Sequence, residues 1–435
     1  MSADAFDQER VWDSARLVAH QLTDLGLEAQ ILTAADDTGR DGRPAVVART
    51  PRIEGAPTVL LYAHHDVQPP GDDASWTTPP FEPTIRGDRL YGRGTSDDGA
   101  GIAVHLGALR TLITTGGADD AMALDTPQPL NVTVFIEGEE EIGSPSFANF
   151  LATYHELLEA DYIIVADSDN WKVGHPALTA SLRGVVSTTV TLRVLEHGVH
   201  SGMFGGPILD AVTLSARLIA TLHREDGSVA VDLGVGSEES DVEWDETEFR
   251  ADASLLDGVR LAGRGDLASR MWTQPAISII GFDATSVAEA SNTIIPAARF
   301  TVSMRIPGGI DPAVALEKLE DYLRLHVPFG AHIEFSDGET GPSYQADLDS
   351  AAATIAHRAL SEAWGVPSVN IGVGGSIPFI SDFQHQFPGA EVIVTGVEDP
   401  ATNAHAQDES QHLGDLKCAI LAEAMMLRDF SQCAR

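Results

Sequence analysis

Cysteine and long apolar segments are scarce in this chain of 435 residues. Cys418 and Cys433 are its two cysteines, too few for a disulfide framework, and Cys418 lies in a helical pattern where a thiol packs as a small apolar group. No apolar run approaches the ~20 residues of a membrane span. The segment 1–7 has neither a basic start nor an apolar stretch, so no secretory signal is recognisable. We therefore expect a cytoplasmic protein.

Positive charge is also scarce, because the only lysines are Lys172, Lys318 and Lys417. The chain has 27 basic residues against 65 acidic ones, and its formal net charge is −38. A surface of this sign repels phosphate backbones and anionic lipids. The composition therefore predicts that neither nucleic acid nor a membrane is a partner.

Apolar strand patterns alternate with amphipathic helix patterns over residues 1–183, which is typical of an α/β layer with a mostly buried sheet. From residue 184 the predicted order becomes β-α-β-β-α-β, that of a ferredoxin-like unit, and the first pattern returns after residue 342. The length makes two domains the default. We therefore predict an α/β domain formed by residues 1–183 and 343–435, with residues 184–342 inserted as a smaller domain. Residues 227–265, rich in acid and glycine, predict a mobile surface excursion within the insertion.

Five short segments carry metal-ligand side chains, and four of them follow apolar strands: His64-His65-Asp66, Asp97-Asp98, Glu140-Glu141, Asp167-Ser168-Asp169 and Asn403-Ala404-His405. Each has an ordinary alternative: a histidine pair at a strand end, a helix cap, or a solvated run of charge. Together they favour a site, because the carboxyl ends of strands are where open α/β sheets bind ligands. Carboxylates this dense need cations to offset their repulsion, and carboxylate mixed with imidazole suits a pair of small divalent cations.

The chain resembles the M20 family of metallopeptidases, and within it the branch of cytosolic nonspecific dipeptidases and carnosinases. Seven motifs carry the resemblance in the order of the family: His64-His65-Asp66-Val67-Gln68-Pro69, Tyr91-Gly92-Arg93-Gly94-Thr95-Ser96-Asp97-Asp98, Glu137-Gly138-Glu139-Glu140-Glu141-Ile142-Gly143-Ser144, Ser181-Leu182-Arg183-Gly184, Val199-His200-Ser201-Gly202, Gly374-Gly375-Ser376-Ile377-Pro378 and Asn403-Ala404-His405. The resemblance implies a zinc-peptidase catalytic domain with an inserted ferredoxin-like lid that also forms a dimer.

The resemblance also implies the role of each site residue. His64 and Asp167 bind one cation, Glu141 and His405 bind the other, and Asp97 bridges the two. Glu140 is the general base, Asp66 orients His64, and the peptide bond after Asp97 is cis. The resemblance implies that the two cations are zinc, with manganese or cobalt as alternatives. The residues alone leave Glu139 against Glu140, and Asp167 against Asp169, undecided. Gly99 departs from the family, which has a lysine there.

Substrate contacts are expected from the inserted domain and from one glycine-rich loop. The resemblance implies that His200 reaches a site across a homodimer and stabilises the oxyanion. Arg305 lies on the strand face opposite the apolar side chains, and it either binds a terminal carboxylate or lies on a solvated face. Gly375 and Ser376 offer backbone donors to that carboxylate, or form a bare turn. The expected activity is hydrolysis of dipeptides; the alternatives are hydrolysis of N-acyl amino acids at the same site, and a non-catalytic metal-binding protein.

Overall fold

The computed structural model describes residues 1–115, 128–237, 239–375 and 378–433. Two compact units divide the chain. The first unit comprises Met1–Ala180, Ala346–Ile371 and Phe379–Arg435, and the inserted unit comprises Ser181–Gln345 and Gly372–Pro378. The domain bounds predicted from the sequence, 184 and 342, stay a prediction, because a compact unit is not by itself a domain shown to fold alone.

Helices and strands alternate along the chain. The α-helices are α1 (Glu9–Asp24), α2 (Gly99–Thr115), α3 (Phe147–Thr153), α4 (His155–Leu158), α5 (Ser201–Phe204), α6 (Ala211–Thr221), α7 (Glu246–Asp252), α8 (Leu267–Trp272), α9 (Pro312–His326), α10 (Ala351–Trp364), α11 (Pro378–Gln386) and α12 (Leu413–Phe430). Single 3₁₀ turns occur at Asp73–Ser75, Glu140–Ile142, Val287–Glu289 and Pro328–Gly330. Among the described residues, every helix falls short of the length or the apolar character that crossing a membrane requires.

The strands form sheets in both units. They are β1 (Glu28–Leu32), β2 (Ala45–Arg49), β3 (Thr58–His64), β4 (Thr84–Arg86), β5 (Arg89–Tyr91), β6 (Asn131–Glu137), β7 (Tyr162–Val165), β8 (Ala177–Leu182), β9 (Gly184–Arg193), β10 (Val199–His200), β11 (Ala276–Asp283), β12 (Thr293–Ile294), β13 (Ala297–Ile306), β14 (His332–Gly341), β15 (Tyr344–Gln345), β16 (Val369–Val373), β17 (Glu391–Val394) and β18 (Ser410–His412).

The main sheet of the first unit has the strand order β1-β2-β6-β3-β7-β17. Strands β6, β3, β7 and β17 run parallel to one another, whereas β2 pairs antiparallel with β6, and β1 pairs antiparallel with β2 at the edge of the sheet. Nearly all side chains of β3, β6 and β7 are buried, as the continuous apolar runs in the sequence predict. The parallel arrangement brings the carboxyl ends of four strands to one edge of the sheet.

Aromatic rings pack closely against β3 directly before its last residues. Tyr62 lies 4.5 Å from Phe379 and 5.4 Å from Phe383 between ring centroids, and all three side chains are fully buried. The Tyr62 hydroxyl donates to Glu137 Oε2 at 2.5 Å, so its polar end is satisfied inside the core. Such dense packing holds the end of β3 in one position.

The inserted unit contains a four-stranded antiparallel sheet in the order β11-β13-β9-β14, covered on one face by α6 and α9. Numbered along the chain these strands are 2-3-1-4, which is the ferredoxin-like order. The predicted fold class, an α/β domain with a ferredoxin-like insertion, is confirmed. On β13 the predicted alternation is also confirmed: Phe300, Val302 and Met304 are buried, while Thr301 and Arg305 are half-buried.

Two local predictions were less accurate. Ser144-Pro145 and the apolar stripe from Phe147 to Leu158 predict one helix. It is divided into α3 and α4, because Tyr154 leaves the helical conformation at φ −107° and ψ 25°. The predicted surface excursion at 227–265 is anchored in part, since Val229 and Val231 join the core of the inserted unit. Apolar side chains spaced by two residues can pin an acidic, glycine-rich segment that its composition alone describes as polar.

Candidate metal centre and active site

The predicted ligands of the first unit meet at the carboxyl edge of the main sheet. His64 is the last residue of β3, Glu140 and Glu141 lie in the 3₁₀ turn after β6, and Asp167 follows β7. His405 arrives in the loop after β17, the strand that pairs with β7. Topology therefore explains how side chains far apart in sequence become neighbours.

Six donor side chains form two groups, in each of which the ligand atoms lie within 4.8 Å of one another: His64, Asp98 and Asp167 in one group, and Asp97, Glu141 and His405 in the other. The two groups contain all five of the predicted ligands. Asp98 is the additional member, which the sequence reasoning had not included.

Asp97 lies between the two histidines. Its Oδ1 is 3.0 Å from His64 Nε2, and its Oδ2 is 2.8 Å from His405 Nε2. His64 Nε2 is also 3.8 Å from Asp167 Oδ1, and His405 Nε2 is 3.2 Å from Glu141 Oε2. Each carboxylate oxygen of Asp97 thus faces a different donor group, as a bridging ligand requires.

The turn before α2 presents Asp97 through a cis peptide bond between Asp97 and Asp98. Asp98 is buried, and its two oxygens accept hydrogen bonds from His64 N and Gly101 N, both at 3.0 Å. Asp98 therefore fills the capping role that the sequence left open for this pair, while Asp97 remains available to the site. Gly99 donates to Gly94 O at 3.1 Å, and a Cβ at Gly99 would lie 2.2 Å from that oxygen, so the backbone packs closely at this position.

Asp66 holds the glutamate turn in place. Its fully buried carboxylate accepts hydrogen bonds from Glu140 N and Glu141 N, each at 3.2 Å. Its distance to His64 Nδ1 is 3.5 Å, longer than an ordinary hydrogen bond, whereas its backbone carbonyl lies 3.1 Å from that nitrogen. The Asp66 carbonyl therefore orients the His64 ring, and the Asp66 side chain positions the two glutamates.

The three consecutive glutamates have different surroundings. Glu139 accepts hydrogen bonds from Arg43 N and Ser146 N at 2.9 and 2.7 Å, so it is tied into the fold. Glu141 accepts from Gln68 N and Gln68 Nε2, both at 2.8 Å, while its Oε2 faces the metal-ligand group. Among the described residues no side-chain hydrogen bond or ion pair engages the Glu140 carboxylate. This difference separates Glu140 from Glu139 in a way that sequence periodicity could not.

The electrostatic environment of the site favours protonated acids when no cation is present. Burial, together with the Asp167 and Glu141 carboxylates, raises the pKa of Glu140 to about 8. Burial and nearby carboxylates also raise the pKa of Asp167 to about 6. Hydrogen bonds to Asp97 and then Glu141 raise the pKa of His405 to about 10. For Asp97, burial alone would raise the pKa, but hydrogen bonds from both histidines hold it below its usual value.

These residues fit a pair of divalent cations. Each group combines one imidazole with carboxylate oxygens, the donor types that Zn²⁺, Mn²⁺ and Co²⁺ accept. Bound cations would also remove the mutual repulsion that raises the pKa of Asp167 and Glu140. Asp169 belongs to neither group.

The other predicted residues belong to the inserted unit or its adjoining loop. His200 is exposed, and its Nδ1 accepts a hydrogen bond from Gly202 N at 3.0 Å. Arg305 is half-buried on β13, and a Cβ at Gly375 would meet nothing within 4 Å. Ser376 lies outside the described residues.

Arg183 has no role predicted from the sequence, although it lies in the motif Ser181-Leu182-Arg183-Gly184. The Arg183 side chain is buried, and within the described part of the chain its Nε and Nη1 have no hydrogen-bond partner. Burial and then repulsion from Arg305 lower the pKa of Arg183 to about 10. The sequence signal that could have identified Arg183 is an arginine at the end of an apolar strand, because a guanidinium is rarely buried without an acidic partner.

A family model described as Peptidase family M20/M25/M40 matches residues 60–429. Cysteinylglycine-S-conjugate dipeptidase of Corynebacterium striatum is 34% identical over 429 residues, which cover 97% of this chain and 90% of that protein. Beta-Ala-His dipeptidase of Mus musculus is 24% identical over 87% of this chain and 79% of that protein.

Solved structures share the fold. Dug1p, a di-peptidase from Saccharomyces cerevisiae, has a TM-score of 0.69 at 21% identity, covering 98% of this chain and 92% of that one. Human carnosine dipeptidase 1 has a TM-score of 0.68 at 20% identity, covering 100% and 93%. The predicted family and its dipeptidase branch are thereby confirmed. This chain belongs to peptidase family M20/M25/M40 and is a hydrolase acting on peptide bonds.

Proposed function

We propose that this protein is a dipeptidase that uses two divalent cations, zinc or else manganese or cobalt, with Glu140 as its general base. The observation that supports this most directly is the pair of donor groups that share Asp97, next to a glutamate whose carboxylate has no hydrogen-bond or ion-pair partner among the residues that the structure describes. The names of the relatives, which act on Cys-Gly conjugates and β-Ala-His, indicate dipeptides as the substrate class.

Two bound cations would supply Lewis acidity at the scissile carbonyl and a water of lowered pKa. The Glu140 carboxylate takes a proton from the attacking water and then donates it to the nitrogen of the departing amine. Burial raises the pKa of Glu140, and this contribution remains once cations offset the nearby carboxylates, which suits a group that must both accept and release a proton. Asp66 serves this role indirectly by holding the backbone of Glu140.

Arg305 is proposed to bind the terminal carboxylate of the dipeptide, with backbone donors from Gly375 and Ser376. Arg183 supports this proposal, since it lies two residues before Val185, the partner of Arg305 in the β9–β13 ladder, and two of its guanidinium nitrogens have no partner among the described residues. The two guanidinium groups repel each other, and an anionic ligand would relieve that repulsion. Such a pair favours substrates whose free C-terminal carboxylate lies there.

His200 is proposed to donate a hydrogen bond to the oxyanion in the site of a partner subunit, in a homodimer formed through the inserted unit. Two observations support this role. The side chain is exposed, and Nδ1 acts as an acceptor for Gly202 N, which places the proton of a neutral ring on Nε2.

The cytoplasmic location stays a prediction.

The test is turnover of purified protein loaded with Zn²⁺ or Mn²⁺. We expect cleavage of Ala-Ala-type dipeptides, loss of activity on chelation, and recovery when the cation is restored. Glu140→Gln should lower kcat by roughly 10²- to 10⁴-fold while cation content stays at two per chain. Glu82→Gln, at an exposed position, is the control and should leave kcat unchanged.

Three results would contradict the proposal. Cleavage of N-acetyl or N-succinyl amino acids alone would show that the substrate is an N-acyl amino acid. Activity that persists after complete chelation would remove the role of the cations. Full turnover by Glu140→Gln with cations bound would remove Glu140 as the base.

A further inference from the structure

The Glu409 carboxylate is buried at the centre of the turn that presents Asp97. Its Oε1 accepts hydrogen bonds from Ser96 N at 3.0 Å and Asp97 N at 3.2 Å. Its Oε2 accepts from Gly94 N at 3.1 Å and Arg93 Nη1 at 2.6 Å. Four donors therefore surround one fully buried carboxylate, which leaves it no role as a cation ligand.

Arg93 connects the same turn to the segment that carries His405. While Nη1 donates to Glu409, Nη2 donates to the carbonyl of Ala406 at 3.1 Å, the residue directly after His405. The guanidinium is also stacked 5.3 Å from the ring of Trp76. Its side chain is nearly inaccessible, so these contacts fix its position.

The segment around His405 has a backbone that needs such support. Asn403, His405 and Asp408 have φ values of 56°, 61° and 56°, in the left-handed region that non-glycine residues rarely adopt. A residue other than glycine keeps this conformation only where the surrounding structure holds it. Glu409 supplies a further anchor through its carbonyl, which accepts from Gly92 N at 3.0 Å.

We propose that Glu409, together with Arg93, is a positioning residue that sets Asp97 in register with His405. It acts through the backbone of both ligand-bearing segments and touches neither substrate nor cation. The 2.8 Å approach of His405 Nε2 to Asp97 Oδ2 depends on this register, whereas the His64 group is fixed separately by Asp98. This inference rests on the proposed function in one respect, that the Asp97, Glu141 and His405 group binds a cation.

Glu409→Gln tests the proposal with little change in shape. The glutamine amide keeps one oxygen, and its NH₂ group faces either the Ser96 and Asp97 amides or the Gly94 amide and Arg93. In both orientations the glutamine NH₂ group faces N–H donors, so two of the four hydrogen bonds are lost. Loss of a group that supports metal ligands typically costs 10- to 100-fold in metal affinity.

The experiment is calorimetric titration of Mn²⁺ into chelator-stripped protein, without substrate. We expect two classes of site in the natural protein, and in Glu409→Gln a weakening of one class by about 10- to 100-fold. The other class shares Asp97 but contains neither His405 nor Glu141, so it should weaken by a smaller factor. Arg93→Lys keeps the charge but cannot reach both Glu409 and Ala406, so it should weaken the same class by a smaller factor. That second variant decides the matter if Glu409→Gln does not fold.

Asp429→Asn is the matched control. Asp429 is a buried carboxylate at the end of α12 that accepts from Arg358 at 2.6 Å and Arg428 at 2.8 Å, so its loss should lower stability without moving either class. The proposal would be overturned if Glu409→Gln and Arg93→Lys weakened Mn²⁺ binding equally in both classes, or if they left the affinity of both classes unchanged. A natural protein with fewer than two Mn²⁺ sites would instead contradict the proposed function, so the two failures are distinguishable.

Discussion

Replacing Asp66 with asparagine tests whether this buried carboxylate positions the catalytic glutamate. The side chain is 0% exposed and accepts one hydrogen bond from Glu140 N and one from Glu141 N. Asparagine offers one oxygen, so its NH₂ must face one of these amide donors. The variant therefore loses one hydrogen bond to a charged acceptor, and its NH₂ group faces a backbone N–H that it cannot accept from.

The size of the effect follows from that single lost bond. A hydrogen bond to a charged group contributes about 1.5–3 kcal/mol. Since about 1.4 kcal/mol corresponds to a factor of ten, kcat/KM for a dipeptide should fall by roughly 10- to 150-fold in Asp66→Asn. Asp66 is not among the donor groups, so cation content should stay at its natural value.

The assay combines initial rates at saturating Mn²⁺ with cation content per chain measured by mass spectrometry. Asp161→Asn is the control, because Asp161 Oδ2 also accepts from a backbone amide, Thr58 N at 2.8 Å, but at the amino end of β3. Its rate should change by less than about 3-fold, the effect expected of a position remote from the chemistry. Natural activity in Asp66→Asn with natural cation content would refute the assigned role, and so would loss of both cations.

Three further outcomes are expected. Cation loading at pH 7 should release protons, because the pKa of His405 is raised to about 10 in the cation-free protein. The binding enthalpy measured by calorimetry should then vary with the ionisation enthalpy of the buffer. A binding enthalpy that is the same in all buffers would contradict this prediction. His105→Gln should destabilise the cation-free protein by about 3–5 kcal/mol at pH 6, since it breaks a buried contact of 2.9 Å with Glu423, and denaturant titration measures the loss. Arg305→Lys should raise KM for dipeptides about 10-fold and leave KM for their C-terminal amides unchanged, while equal effects on both would contradict a carboxylate contact.

The pH dependence of the His105 effect has a definite sign. Burial alone would lower the pKa of His105, but the Glu423 carboxylate and the Tyr62 carbonyl outweigh it and raise the pKa. A raised folded-state pKa contributes stability that is complete below the unfolded value, about 6.5, and is lost as pH rises through the folded value. The gap in unfolding free energy between the natural protein and His105→Gln should therefore shrink above pH 6.5. A gap that widens would refute the ion pair.

The fold and the location of the site could be predicted from the sequence because both follow from periodicity. Buried parallel strands appear as continuous apolar runs, and a ligand directly after such a run lies at the sheet edge wherever the strand is placed. His64 and the segment 167–169 are located in this way, whereas the choice of Asp167 over Asp169 rests on the resemblance alone. The alternating pattern around Arg305 likewise fixed which side chains of β13 are buried.

The division of labour among neighbouring acids could not be predicted from the residues. Glu139 and Glu140 are adjacent and chemically identical, and only the tertiary contacts of Glu139 with Arg43 and Ser146 separate them. The same holds for Asp98, whose capping contact with His64 joins residues 34 positions apart. The Arg93–Glu409 pair spans 316 positions, and no local pattern encodes such a contact.

The insertion separates His405 from the other five donor residues in the order of synthesis. A growing chain has made His64, Asp97, Asp98, Glu141 and Asp167 once residue 167 has left the ribosome. His405 and Glu409 follow more than two hundred residues later. The first donor group is therefore complete in the nascent chain long before the second, and peptide-bond cleavage must wait until the segment that carries His405 has been translated and docked.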